Sequence, residues 1–437
     1  MVPRCWGLWT TALGALLVLT GCRTTCCFNG GVPNSGPEML PLCDRHVEIV
    51  IELKPSLIQP VTPVYRMLSA QQCQCLAAEK SAVASMLDLE AQAGIEKADV
   101  RKLCAEKAQK GAAFKADLLT YWALEDRNRS AAKALDLYYR LGQTEANADI
   151  VLASLSEVQS ALKKARALKA KGLQLPLDDT ALYRKQLDLE AAKAKGAAQI
   201  QQFNGELRRL LAFAPIQTTW QFWPVDAFHV SDDQVDPEKA VAVGLASRPL
   251  LLLLNLLETA LNEGDPATVK KMLATVNGAL GQNGACPCLK KLVTQLCSPD
   301  ASECERELRR QQLAIYHADR EREVIEDIRQ AVQNILAAKN VVVLAQQQVD
   351  SWYGRVKQAE EKESKGLGSF ADTTNARMNW LKARRTLLEE ITNLQRAWVQ
   401  LHQAQGILSL DGHCAPSHAL PSPADGARHS SFCSGPS

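Results

Sequence analysis

The chain has 437 residues, of which 46% are hydrophobic and only 5% are aromatic. Ala and Leu supply most of the apolar content, a balance that disfavours a β-sandwich and favours long helices. The 50 basic and 48 acidic side chains give a formal net charge of +2. Since the two signs are interspersed, we expect no nucleic-acid partner. The composition predicts an all-α protein.

The first 21 residues have the pattern of a secretory signal peptide. Arg4 precedes an apolar stretch from Trp6 to Leu19, which is too short to be a convincing membrane span. The stretch runs into Thr20-Gly21-Cys22, which resembles the lipobox of bacterial lipoproteins. The resemblance implies cleavage before Cys22 and acylation of its thiol. An ordinary cleaved signal peptide is the alternative.

The segment after Cys22 is predicted to be a tether between the lipid and the helical body. Residues 23–45 are rich in Gly, Pro and Cys, a composition that favours an extended chain. His46–Leu53 alternates between polar and apolar residues and is a single candidate strand. Arg23 is not the Asp that retains lipoproteins in the inner membrane, so the lipobox resemblance favours the outer membrane.

The strongest organisational signal is an internal repeat without gaps at an offset of 194 residues. It pairs residues 125–213 with residues 319–407, and Lys171-Gly172-Leu173 corresponds to Lys365-Gly366-Leu367. The chain is predicted to have six parts. The N-terminal parts are a leader (1–21) and a tether with an extended segment (22–68). They are followed by a first helical repeat (69–214), a linker (215–235), a second helical repeat (236–408) with a Cys-bearing loop near 281–305, and a disordered tail (409–437).

Each copy of the repeat carries apolar residues at alternating spacings of four and three, the pattern of a coiled coil. Each copy is therefore predicted to be an antiparallel hairpin, with arms of about 45 and 35 residues, or roughly 65–70 Å and roughly 50 Å. Asn204 takes a position in the seam, where a polar side chain fixes register. The seam comprises Val324, Ile328, Ala331, Ile335, Ala338, Val342, Ala345, Val349, Trp352 and Val356, and in the first copy Ser130, Ala134, Leu137, Leu141, Thr144, Ala148, Val151, Leu155, Val158 and Leu162.

The two turns have the chemistry of helix caps. Gly172 and Gly366 are predicted to end the first arms in the left-handed conformation, and Asp178 and Asp372 to cap the returning arms. Taken singly, such a turn is simply a capped connection. The same turn in both copies of the heptad repeat favours a common role for the two turns.

Together with these turns, Leu207–Leu211, Leu401–Leu408 and Ala240–Pro249 resemble the TolC-like outer-membrane efflux family. The resemblance implies two tandem helical hairpins in each protomer and a homotrimer that closes twelve helices into a periplasmic tunnel. It also implies a periplasmic adaptor protein as partner. The adaptor-facing residues would be Gly172, Leu173, Asp178, Gly366, Leu367 and Asp372.

The sequence departs from the family in one respect. Family members insert two transmembrane strands in each repeat, yet residues 95–124 read here as helical and charged, and residues 250–318 as a helix followed by a loop. We therefore predict tandem coiled-coil hairpins without those strands, in a protein held at the membrane by lipid.

Four cysteines cluster in the loop near 281–305, namely Cys286, Cys288, Cys297 and Cys304. In an exported protein two disulfides are expected, with a tetrahedral zinc site or free thiols as alternatives. Cys73, Cys75 and Cys104 are further candidates for pairing, and connectivity cannot be read from sequence.

No pattern in the chain resembles a catalytic assembly. The seven histidines are scattered, and neither a His-Glu-x-x-His run nor a Gly-rich phosphate loop is present. We expect no enzymatic activity, no cofactor and no metal. The aromatic stretch Trp220–Pro224 is expected to pack around the helical rod rather than to bind a ligand.

Two functions are compatible with these features. The first is a lipid-anchored component of an efflux or export assembly, with its body in the periplasm, that forms or lines a helical conduit powered by a partner. The alternative is a structural coiled-coil lipoprotein that scaffolds the envelope or docks partners without conducting solute.

Overall fold

A computed structural model describes residues 64–100, 106–172, 179–214, 220–230, 233–263 and 303–409. Several predictions concern residues outside these ranges and stay predictions. They are the leader, Cys22 and the tether, the candidate strand His46–Leu53, Leu173, Asp178, Cys104, the loop cysteines Cys286, Cys288 and Cys297, the side chain of Cys304, and the tail.

The predicted all-α class is confirmed, with two short strands added. Within the described residues the fold consists of long helices arranged as two antiparallel hairpins. In chain order the elements are β1 (Val64–Leu68), α1 (Ala70–Glu79), α2 (Ala82–Val100), α3 (Glu106–Ala170), α4 (Asp179–Leu210), β2 (Trp220–Pro224), α5 (Pro237–Ser247), α6 (Pro249–Glu263), α7 (Glu303–Ser364) and α8 (Phe370–Gln405).

The four long helices pack in the order α4, α3, α8, α7. The first hairpin pairs α3 with α4, the second pairs α7 with α8, and α3 also packs along α8. Within the described ranges, α4 and α7 do not pack extensively against each other. The arrangement is therefore open, with α4 at one edge and α7 at the other.

The predicted seams form the contact between the arms. Every seam position of α3 and α7 is buried or partly buried, and Ile328, Ile335, Ala134 and Leu141 are fully buried. On α8, Leu387, Ile391 and Leu394 complete the same core. The heptad pattern therefore identified the buried face of each hairpin correctly.

The first arms are longer than predicted. α3 has 65 residues and α7 has 62, so each spans roughly 95 Å at 1.5 Å per residue. The prediction began each arm where the heptads begin, but both helices start earlier. The extra length of α3 has its own partner in α2, through Ala84, Leu87 and Ala91 against Ala116, Leu119 and Ala123.

A two-stranded parallel sheet packs beside α3 and was not predicted as such. β1 pairs with β2 in a register from Val64 opposite Trp220 to Leu68 opposite Pro224. All five residues of β2 are buried, so this stretch is a core strand and not a belt around a rod. The side chain of Asn204 holds β2 against α4. Its Oδ1 accepts the N–H of Phe222 (2.6 Å), and its Nδ2 donates to the Ile200 carbonyl (3.0 Å).

The cysteines of α1 differ from each other. Cys73 is a free thiol buried in the main core, so this candidate for pairing is not paired. Burial raises the pKa of this thiol above its ordinary value. Cys75, two residues later, is disulfide-bonded.

No single helix in the described part of the chain is long and apolar enough to cross a membrane. Pro237–Ser247 and Pro249–Thr259, bent by 50° at their junction, meet the same criteria of length and composition only as a pair.

Candidate functional site

The turn between α7 and α8 is a Schellman motif, in which the residue after the helix is left-handed. Gly366 has φ 71°, its N–H donates to the Glu363 carbonyl (3.0 Å), and the N–H of Leu367 donates to the Lys362 carbonyl (2.8 Å). At Gly368 a Cβ would lie 2.9 Å from Lys362 Cβ, so the chain turns tightly. The turn leaves the Leu367 side chain 78% exposed.

The start of α8 is held by a capping box. The Ser369 hydroxyl accepts the N–H of Asp372 (3.2 Å), while the Asp372 carboxylate accepts the Ser369 hydroxyl (2.7 Å) and N–H (3.3 Å). These hydrogen bonds from Ser369 hold the pKa of Asp372 below its ordinary value. Asp372 therefore contributes to the cap as predicted, but Ser369 is the N-cap residue.

The turn after α3 repeats this geometry as far as the structure describes it. Gly172 has φ 73°, and its N–H donates to the Lys169 carbonyl (3.0 Å). Across the turn, Lys169 Nζ lies 3.0 Å from the carboxylate of Asp179, the first residue of α4, and this contact lowers the pKa of Asp179. Among the described residues, a Cβ at Gly172 or Gly366 would meet no atom within 4 Å, so the left-handed backbone conformation is what calls for glycine there.

An ion pair places the two turns at the same end of the molecule. Lys164 Nζ, eight residues before Gly172, lies 3.1 Å from the carboxylate of Glu363, three residues before Gly366. The nearby Thr373 side chain and the hydrogen bond from Lys164 lower the pKa of Glu363.

Arg377 joins the hairpins a little farther from the turns. Its guanidinium binds Glu360 of α7 (2.7 Å) and Glu157 of α3 (3.1 Å). The carboxylates of Glu360 and Glu157 raise the pKa of Arg377, and Glu360 has the larger effect. Because all three side chains are partly exposed, each pair contributes at most about 1 kcal/mol to stability.

An apolar cluster lies next to the two turns, between the helices that lead into them. The seam of the first hairpin continues to its last turns, and side chains of the second hairpin pack against it. The cluster consists of Leu155, Val158, Ala161, Leu162, Leu182 and Leu189, with Phe370 and Met378 of α8 packed on it.

Away from the turns, Arg248 connects the two repeats. It links α5 to α6, and its guanidinium donates to the Gln403 carbonyl and to Glu125 of α3 (3.0 Å). Ser247 Oγ donates to the Gln405 carbonyl (2.9 Å). Burial raises the pKa of Glu125, and Arg248 opposes that shift. The segments Ala240–Pro249 and Leu401–Leu408 therefore meet, although about 155 residues separate them.

The turn region offers capped helix ends, an exposed leucine and ion pairs. Across the described ranges, no three His, Cys, Asp or Glu side chains are grouped so that they could hold a metal ion.

The structure brings together Gly172, Gly366, Leu367 and Asp372 of the six predicted turn residues. Ser369, Lys164 and Arg377 were missed. Ser369 could have been found, because Ser-x-x-Asp before a helix is a capping pattern. The two basic residues could not, because their partners lie on other helices.

No protein-family model matches the chain, and no curated protein matches it. Solved structures of outer-membrane proteins do match the chain in fold. VceC from Vibrio cholerae is 12% identical with a TM-score of 0.56, over 77% of this chain and 96% of VceC. The CmeC outer membrane channel of Campylobacter jejuni is 10% identical with a TM-score of 0.58, over 82% of this chain and 88% of CmeC.

The open state of the MtrE outer membrane channel of Neisseria gonorrhoeae is 10% identical with a TM-score of 0.52, over 85% of this chain and 98% of MtrE. At such identities the likeness concerns the fold. The chain has the fold of TolC-like outer-membrane channels.

Proposed function

We propose that this chain is the lipid-anchored component of an efflux or export assembly, in which copies of the chain close a helical conduit. The observation that carries the proposal is the open order α4, α3, α8, α7, which leaves a long helix at each edge. An open layer of helices closes into a ring when one edge of each protomer packs against the opposite edge of the next. Three protomers would supply twelve helices.

The edge helices have the side chains that such an interface needs. On α7, Leu336, Val341, Val343 and Leu344 are exposed, and Leu344 is 63% exposed. On α4, Tyr183 and Leu187 are exposed one helical turn apart. Exposed apolar patches of this kind mark interaction surfaces. We infer that the α7 edge of one protomer packs on the α4 edge of its neighbour.

The hairpin turns would face a periplasmic adaptor protein. Both turns lie at one end, and Leu367 offers an apolar side chain that an adaptor would bury. Leu173 and Asp178 belong to the same proposed surface. Conduction itself would be passive, with energy supplied by a partner, and we propose no enzymatic role for this chain.

The lipid anchor rests on Cys22. Several acyl chains on one cysteine would hold the protein stably at the outer membrane, because each buried methylene contributes about 0.8 kcal/mol. Labelling cells with radioactive palmitate would test it. Label should enter the wild type and not a Cys22→Ala variant; equal labelling of both would contradict the anchor.

The conduit is tested by the mass of the detergent-extracted protein in native mass spectrometry. A trimer is expected, whereas a stable monomer would overturn a closed tube. Deletion of the protein followed by measurement of solute accumulation separates the conduit from a scaffold. A conduit predicts that specific solutes accumulate, and a scaffold predicts envelope defects without such accumulation.

A further inference from the structure

A pocket of about 490 Å³ lies where α3, α7 and α8 meet, beside the Arg377 ion pairs. Its volume is in the range of pockets that hold drug-sized molecules. Of its lining residues, Val356 belongs to the seam of the second hairpin, and no predicted contact of the proposed assembly uses the pocket. Its lining includes Ala153 of α3, Tyr353, Val356 and Lys357 of α7, and Trp380 and Leu381 of α8.

Two aromatic rings form one side of the pocket. The ring centroids of Tyr353 and Trp380 lie 5.7 Å apart, with an angle of 36° between the planes. Tyr353 is 45% exposed, whereas Val356 and Leu381 beside it are buried. Aromatic rings beside buried aliphatic side chains are complementary to a flat, apolar ring system.

A cation with no acidic partner lies next to these rings. Lys357 Nζ is 4.5 Å from the Tyr353 centroid, and no carboxylate of the described residues forms an ion pair with it. Arg377, the other cation of the lining, is already held by Glu157 and Glu360, which line the pocket as well. The Arg384 guanidinium, 5.0 Å from the Trp380 centroid, adds positive charge nearby. The charge of Lys357 is therefore available to a ligand.

From this geometry we propose that the pocket binds amphiphilic aromatic anions. The ring system of the ligand lies against Tyr353 and Trp380, and its sulfonate, carboxylate or phosphate group accepts hydrogen bonds from Lys357 Nζ. A charge-assisted hydrogen bond at the rim fixes the orientation, and burial of the ring supplies most of the affinity. The site goes beyond the proposed conduit and does not depend on the number of protomers.

The test compares two fluorescent dyes that differ by one charged group. 8-Anilinonaphthalene-1-sulfonate is an aromatic anion, and N-phenyl-1-naphthylamine is its neutral counterpart. Each is titrated into the full chain in lipid nanodiscs, with empty nanodiscs as the blank. The variants are Lys357→Gln, Trp380→Ala and, as matched control, Arg355→Gln. Arg355 also stacks on an aromatic ring of α7, 4.7 Å from the Trp352 centroid, but does not line the pocket.

We expect Lys357→Gln to weaken binding of the anion about fivefold, the effect of one partly exposed charge pair, and to leave the neutral dye unchanged. Trp380→Ala should weaken both dyes, and Arg355→Gln neither. The result that overturns the proposal is anion affinity unchanged by Lys357→Gln, or reduced equally by Arg355→Gln. Because Lys357 is exposed, its variant keeps the fold, and the comparison holds even where Trp380→Ala does not fold.

Discussion

Glu145 is an unusual side chain of α3, because it is a buried carboxyl group. It is fully buried, and neither of its carboxylate oxygens has a hydrogen-bond partner among the residues that the structure describes. Burial, and to a smaller extent the negative charge of Asp149, raises the pKa of Glu145 from 4.5 to about 8. The native protein therefore keeps this carboxyl protonated at pH 7, a pH at which the unfolded chain ionises it.

The pH dependence of stability follows from that difference. The contribution of Glu145 is fully present below pH 4.5 and is lost as the pH rises to about 8. A Glu145→Gln variant mimics the protonated form. It should match the wild type at pH 4 and exceed its unfolding free energy by a few kcal/mol at pH 8.5, since each pKa unit corresponds to about 1.4 kcal/mol.

Thermal unfolding at both pH values, followed by circular dichroism, measures this difference. Glu389→Gln is the control, because Glu389 is an exposed carboxylate of α8. If the stability of the wild type and of Glu145→Gln changed in parallel between the two pH values, Glu145 would behave as an ordinary glutamate and the prediction would be wrong.

The two turn glycines can be tested against a third glycine. Gly366→Ala and Gly172→Ala should each lower the unfolding free energy by about 1 kcal/mol, because alanine disfavours the left-handed conformation. Gly354→Ala, inside α7 with no atom within 4 Å of the added Cβ, should raise it by about 0.5–1 kcal/mol. Urea titration gives all three values. A loss at Gly354 equal to that at Gly366 would refute the conformational argument.

At the scale of elements, Gly142 lets the segment after β2 approach α3. A Cβ at this position would lie 2.5 Å from Ala227 Cβ and 3.5 Å from Pro224 Cγ. Gly142→Ala should therefore destabilise the protein by about 1–3 kcal/mol through overpacking. Adding Ala227→Gly to the same molecule should recover part of the loss.

A double-mutant cycle in urea measures that coupling. Residues in contact are expected to deviate from additivity by about 0.5 kcal/mol or more. Strictly additive effects of Gly142→Ala and Ala227→Gly would mean that the two elements do not approach so closely.

At the scale of the whole molecule, the two exposed edges decide whether copies assemble. Leu344→Glu places a charge in the proposed interface of α7 and should convert the trimer into monomers with unchanged helix content. Leu367→Glu alters a still more exposed leucine, but at the turn, so the trimer should persist. Native mass spectrometry distinguishes the two variants. A Leu344→Glu protein that keeps the wild-type mass would place the interface elsewhere.

The likeness to VceC and CmeC at 12% and 10% identity shows how little of this fold depends on individual residues. Hydrophobic pattern and approximate volume suffice to form a helical layer. Side chains such as Asn204, Arg248 and Arg377 then determine how the elements of this particular chain are joined.

The two hairpins, their buried faces and their glycine turns can be predicted from the amino-acid sequence alone. These features are local: a heptad places its apolar residues on one face whatever the partner is, and a left-handed position calls for glycine. The duplication at 194 residues also extended the assignment from one hairpin to the other.

The remaining features become visible only in the folded molecule. The order of the four long helices, the pairing of β1 with β2, the buried Glu145, the free thiol of Cys73 and the pocket beside Lys357 all depend on contacts between distant segments. Val64 and Trp220 lie 156 positions apart, and Glu157 and Arg377 lie 220 apart. Neither periodicity nor propensity carries information about such pairs, because both describe a residue relative to its own helix or strand.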